Sequence, residues 1–247
     1  MENLLLVGLS RQMALRREID VIANNVANVS TNGFKARSLR FSEFLGPTAR
    51  AETFPGQDRR VAFVIDQGTP IDLSTGNVER TGNALDVAIR GDAFFAVQTQ
   101  AGQTRYTRDG GFEINPRGQL VTQGGLRVLG ENGPIEISTN ETNVRIGEDG
   151  SVFTDQGNRG KLRMVRFANP RDLRSEGVNL FSTAQTAQPA GPQVRVEPGA
   201  LERSNVKPVI EMSRLVEVQR AYSSITGVLG RADELRRDAI RRLADLT

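Results

Sequence analysis

The chain has 247 residues, 38% of them hydrophobic, enough to bury a core and to fill one large or two modest domains. It contains no cysteine and no histidine, which removes disulfides, thiolate metal sites, cysteine nucleophiles and imidazole bases, and weighs against most enzyme classes. The formal net charge is only +3, the charges are interspersed, and aromatics make up 5% with no tryptophan, unlike the clustered, stacking-rich pattern of a nucleic-acid binder.

The apolar run Leu4 to Leu9 is too short to span a bilayer, lacks a basic segment before it, and is followed by no small-residue cleavage site. The expectation is a cytoplasmic protein, or one exported by a route that removes no signal, with no membrane span.

Leu5, Gly8, Leu15, Ile19, Ile22, Val26 and Val29 follow a three-four alternation interrupted only at Gln12. That is the narrow seam of a coiled coil rather than a broad globular face, and it predicts one helix over residues 3–31. Asn32-Gly33 supplies the stop, since glycine adopts the left-handed conformation at little cost, and Phe34 is placed to fold back on the last turn.

Asn24, Asn25, Asn28 and Asn32 crowd the end of this segment although asparagine is a mediocre helix former. Asn25, Asn28 and Asn32 repeat the seam spacing one position to its side. An amide beside a buried seam donates and accepts at once, and stranding it costs roughly 1–3 kcal/mol, so it fixes register between packed helices. The competing reading is a fraying helix end before a turn.

Residues 35–80 lack periodicity and carry Gly46-Pro47, Pro55-Gly56 and Pro70, which predicts an extended connector with one or two short strands, Val61 to Ile65 among them. From 81 to 206 short apolar runs, such as Leu85-Val87-Ile89 and Phe94 to Val97, alternate with turn dipeptides at Asp109-Gly110, Gly124-Gly125 and Asn132-Gly133. This spacing predicts an antiparallel β domain. RDGGFEINPRGQL and GEDGSVFTDQGNRG share a Gly-strand-Gly phrase that fits hairpin grammar as well as duplication.

Pro208 suits a helix N-terminus, and after it Leu215, Val218, Tyr222, Ile225, Leu229, Ala232, Ala239, Leu243 and Leu246 restore the three-four alternation, broken at Arg236. The expected fold class is α+β, with long N- and C-terminal helices pairing as a coiled-coil-like module around a central antiparallel β domain. Residues 1–34 plus 207–247 form the discontinuous helical domain, 35–80 the connector and 81–206 the β domain. A narrow seam leaves Leu4, Leu6, Met13, Met212, Val216 and Leu235 in want of further partners, so the helical module looks unfinished as a monomer.

The run Ile22-Ala23-Asn24-Asn25-Val26-Ala27-Asn28-Val29-Ser30-Thr31-Asn32-Gly33-Phe34-Lys35 closely resembles the N-terminal signature of bacterial flagellar rod, hook and hook-associated axial proteins. The likeness continues in order through Thr81 to Phe95, Arg105 to Phe112, Phe167 to Pro170 and Gly199 to Val206, so it covers nearly the whole chain. Within that family the length, the single β domain and the short connector resemble the rod subunits, and the opening MENLLLVGLSRQMALRREIDVIANN resembles the proximal-rod subunit, with the distal one as the alternative.

The resemblance implies a non-enzymatic subunit, exported unfolded through the flagellar type III apparatus without a cleaved signal. It would assemble with copies of itself and related rod subunits into a helical tube across the periplasm, needing no cofactor or metal. The packing residues are then Leu15, Ile19, Ile22, Asn24, Asn25, Val26, Asn28 and Val29 with Leu215, Val218, Tyr222, Ile225 and Leu229, and the helix stop is Asn32, Gly33 and Phe34.

Other candidates have simpler readings. Asp86, Asp92 and Asp109 suggest a hydrolase carboxylate pair, but each sits at a turn, where aspartate bonds its own backbone. Glu148-Asp149-Gly150 and Gly124-Gly125 lack the spacing of calcium or phosphate loops. Arg231, Arg236, Arg237, Arg241 and Arg242 interleave with Asp233, Glu234, Asp238 and Asp245 as a salt-bridged face. Phe94, Phe95 and Tyr106 read as β core.

Overall fold

A computed structural model describes residues 2–45, 62–66, 69–138 and 140–244. The chain is α+β and divides into two compact units, residues 1–26, 37–70 and 208–247 in one and residues 27–36 and 71–207 in the other.

The first unit holds α1 (Glu2–Ala27), a hairpin of β1 (Phe41–Leu45) and β2 (Ala62–Asp66), and α2 (Pro208–Ala244). The strand expected near Val61 to Ile65 is therefore β2, and connector residues 46–61 lie outside the described residues. The Ser38 N–H donates to Pro70 O at 3.1 Å, closing the root of this excursion. At 26 and 37 residues, α1 and α2 are about 39 and 55 Å long. Pro208 opens α2 as its fixed φ and missing N–H allow.

α1 ends at Ala27, not at residue 31. Asn28 to Thr31 supply the reason: Thr31 donates from both N–H and Oγ1 to Asn28, at 3.2 and 3.1 Å. A run of Asn, Ser and Thr offers the backbone local bonds that compete with the helical ladder. Val29 consequently leaves the seam.

The second unit is antiparallel at every strand pair among the described residues. In chain order its strands are β3 (Val78–Arg80), β4 (Val87–Arg90), β5 (Phe94–Gln98), β6 (Thr104–Thr107), β7 (Phe112–Ile114), β8 (Leu120–Thr122), β9 (Arg127–Gly130) and β10 (Gly133–Pro134). They continue as β11 (Arg145–Ile146), β12 (Ser151–Thr154), β13 (Gly157–Lys161), β14 (Met164–Arg166), β15 (Arg174–Glu176), β16 (Leu180–Ser182), β17 (Gln188–Pro189), β18 (Arg195–Pro198) and β19 (Ala200–Glu202). The main sheet runs β15-β16-β6-β5-β9-β8-β7, while β11-β12-β13, β18-β4 and β19-β3 pair separately.

β5 is central and covered on both faces, as an unbroken apolar run requires. Phe95 joins Val87, Ile89, Phe112, Leu120, Val128 and Val152 in the larger core, stacking edge-on against Phe112 at 5.2 Å. Phe94 joins Val165, Phe167, Leu173 and Phe181 in the smaller one, against which the half-buried Tyr106 packs.

Candidate assembly site

In the helical unit, the contacts between α1 and α2 run in opposite directions along the two helices. The Glu18 carboxylate accepts from Arg214 at 2.7 Å, Gln12 donates to Thr226 Oγ1 at 3.1 Å, and a Cβ added to Gly8 would meet Leu229 Cδ2 at 2.6 Å. Gly8 thus lets the helices approach where any larger residue would push Leu229 aside. Ile22 and Val218 are buried, while Leu15, Ile19, Val26, Leu215, Tyr222, Ile225 and Leu229 are half-buried.

Several other apolar side chains of the two helices face outward. Leu6, Leu9 and Met13 are 53, 50 and 66% exposed, and Val209, Met212 and Val216 are 77, 58 and 48% exposed. Both triplets have the same i, i+3, i+7 spacing, so each makes one stripe along its helix. Val228 and Leu235 extend the exposed surface of α2. The five arginines of the last turns are exposed, and Arg237 pairs with Asp233 one turn away at 2.6 Å.

The asparagines do four different things. Asn25, 1% exposed, clamps one residue by both backbone groups: its Oδ1 accepts from Arg37 N at 3.0 Å, and its Nδ2 donates to Arg37 O at 2.8 Å. The same Nδ2 lies 3.2 Å from Glu211 Oε2 on α2. Asn24 is exposed, and Asn28 is buried and caps the local turn. Asn32 lies beyond the helix, with its Oδ1 accepting from Arg203 Nη1 at 2.9 Å.

In the β unit, residues 33–36 are laced between two distant stretches. Gly33 N donates to Glu202 O at 2.7 Å, Ala36 N to Asn205 Oδ1 at 2.7 Å, and Asp72 N to Ala36 O at 2.8 Å. Asn205 Nδ2 in turn donates to Asp72 O and Ser74 O at 2.9 and 3.1 Å. Gly33 has φ of +65°, the left-handed conformation expected of it, and a Cβ there would stand 2.8 Å from Arg108 O and closer still to Asp109 N. Phe34 beside it is fully buried.

At the centre lies a buried ionic cluster. Lys35 Nζ donates to Glu202 Oε1 and to Ser74 O, both at 2.6 Å, and Gly76 N donates to the same Oε1 at 2.9 Å. Arg108 reaches Glu202 Oε2 from Nη1 at 3.4 Å, donates from Nη2 to Gly91 O at 2.8 Å, and sits 5.0 Å over the Phe94 ring. The side chains of Lys35, Arg108 and Glu202 are 1, 2 and 0% exposed. Burial pushes the Lys35 amine below its usual range, with Glu202 opposing, and does the same to Arg108. Sequence reasoning missed this cluster, although each of its charges stands in a quoted motif.

Two of the three carboxylates considered for catalysis are engaged in local hydrogen bonds. Asp86 accepts from Thr81 Oγ1 at 2.6 Å and Asn83 Nδ2 at 3.0 Å, while Asp109 accepts from Gly111 N and Asn179 Nδ2, both at 3.0 Å. Asp92 is exposed, and Asp149 accepts from Ser151 N and Oγ within its own turn. Among the described residues no cluster of acidic side chains could hold a metal ion, and no helix is long and apolar enough to cross a membrane.

Long terminal helices with outward apolar stripes, joined to a β unit whose buried charges bind its own segments together, are the features of a structural subunit. Three stretches match known families: residues 5–35 the flagella basal body rod protein family, residues 88–154 the flagellar hook protein FlgE/F/G D1 domain, and residues 197–242 the flagellar basal body rod FlgEFG protein C-terminal region. Over its whole length the chain is 42% identical to the whole flagellar basal-body rod protein FlgF of Caulobacter vibrioides. It is 35% identical to FlgF of Mesorhizobium japonicum over 98% of both chains, and 35% identical to FlgG of Buchnera aphidicola over 88% of this chain and 90% of that one. The chain belongs to the flagellar basal-body rod protein family and is a structural subunit of the rod.

Proposed function

We propose that the chain polymerises, with copies of itself and with related rod subunits, into a helical tube that transmits torque through the basal body. The exposed stripes Leu6-Leu9-Met13 and Val209-Met212-Val216 carry this reading, because a folded monomer gains nothing by holding two matched apolar ridges in water. In this reading α1 and α2 form an antiparallel coiled-coil pair along Leu15, Ile19, Ile22 and Val26 and along Leu215, Val218, Tyr222, Ile225 and Leu229. Asn24, Asn25 and Asn28 belong to the packing set, and Asn32, Gly33 and Phe34 to the helix stop. For assembly this reading keeps the expected roles of a terminal helical module, a connector and a β domain.

The relative named FlgF, matched end to end at 42% identity, favours the proximal rod over the distal position. Export unfolded through the type III apparatus, with no signal removed, and a periplasmic rod location complete the proposal.

The test is Met13→Glu and Val216→Glu in the full chain. Each variant is expected to remain a folded monomer, fail to enter rods isolated from cells, and abolish swimming. Normal incorporation of both would refute the proposal.

A further inference from the structure

We infer that Glu202 is the closing residue of the β unit: its carboxylate holds two buried cations, Lys35 and Arg108, so the unit completes only when three distant chain segments meet. The charges come one from each family-matched stretch, Lys35 from 5–35, Arg108 from 88–154 and Glu202 from 197–242.

Two cations face one anion, so the members are unequal. Removing Lys35 leaves Glu202 neutralised by Arg108. Removing the charge of Glu202 leaves two desolvated cations, and the exposed carboxylates of Asp72 and Asp92 act on them only through space. An uncompensated buried charge costs far more than a missing pair. Glu202 also accepts from Gly76 N at 2.9 Å and, through its main-chain oxygen, from Gly33 N at 2.7 Å, so it fastens both flanking segments. A chain that has not yet supplied residue 202 leaves Lys35 and Arg108 without their shared carboxylate, and residues 32–36 without their bonds to Glu202, Arg203 and Asn205. The inference concerns closure of a single chain and stands or falls separately from polymerisation.

The experiment compares amide hydrogen exchange in full-length wild type, Glu202→Gln, Lys35→Met and the double variant, read over residues 28–36, 72–77 and 200–206. Glu202→Gln is expected to accelerate exchange on the order of 100-fold or more, and Lys35→Met far less. The double variant, with one cation fewer and the amide oxygen still available to Arg108 and Gly76, is expected to recover part of the protection. A Glu202→Gln chain that cannot fold beside a double variant that does also supports the inference. It is overturned if Glu202→Gln is no worse than Lys35→Met, or if the double variant is no better protected than Glu202→Gln, the failure of both to fold included.

Discussion

Asn25 and Arg37 are joined like neighbours in a β ladder, the side-chain amide of one meeting both backbone polar groups of the other across 12 residues. Asn25→Ala removes two bonds to the half-buried Arg37 backbone and leaves a cavity at a buried site, and should cost about 1–3 kcal/mol. Asn25→Asp should cost at least as much, because it sets a carboxylate oxygen against Arg37 O and Glu211. Exchange of the Arg37 amide and the denaturation midpoint of each variant check the order.

Gly33 and Gly125 share a left-handed φ, +65° and +75°, but only Gly33 is packed against backbone. Gly125→Ala should lose only the conformational penalty, about 1–2 kcal/mol. Gly33→Ala adds a collision with Arg108 and Asp109 and should lower Tm by a clearly larger amount. Equal losses would mean that close approach contributes nothing.

Burial raises the Asp109 carboxyl above its ordinary range, against the pull of its bonds from Gly111 and Asn179. The folded state therefore binds this proton more readily than the unfolded one from the ordinary carboxylate range up to the raised pKa. Stability from this group grows as pH falls through that window and is lost as pH rises through the folded pKa. Denaturant titrations should find the advantage of wild type over Asp109→Asn increasing on acidification; a constant difference would contradict it.

Two truncations place the boundary of the β unit. Removing residues 1–27 should leave it folded, whereas removing 1–36 deletes Gly33, Phe34 and Lys35 and should destabilise it by several kcal/mol, since Phe34 alone is a fully buried aromatic. Urea midpoints of the two fragments distinguish these outcomes.

Both terminal helices were legible because a seam of fixed period survives any tertiary context, and Pro208 marked the start of α2 to the residue. The antiparallel sheet was legible from its turn dipeptides. The end of α1 was not, because periodic Val29 outvoted the capping chemistry of Asn28 and Thr31, which is local and has no period. Nor was the ionic cluster: Lys35 and Arg108 lie 167 and 94 residues from Glu202, and charged residues are read as solvated by default. The signal available was each residue's place in a motif, not its chemistry.

Phe94 and Phe95 are adjacent in sequence yet serve different cores, since successive side chains of β5 point to opposite faces. One strand is thus the party wall of two rooms. A slip of a single residue would exchange their contents, so errors of alignment during folding cannot be repaired on one side alone, and whatever fixes β5 fixes both at once.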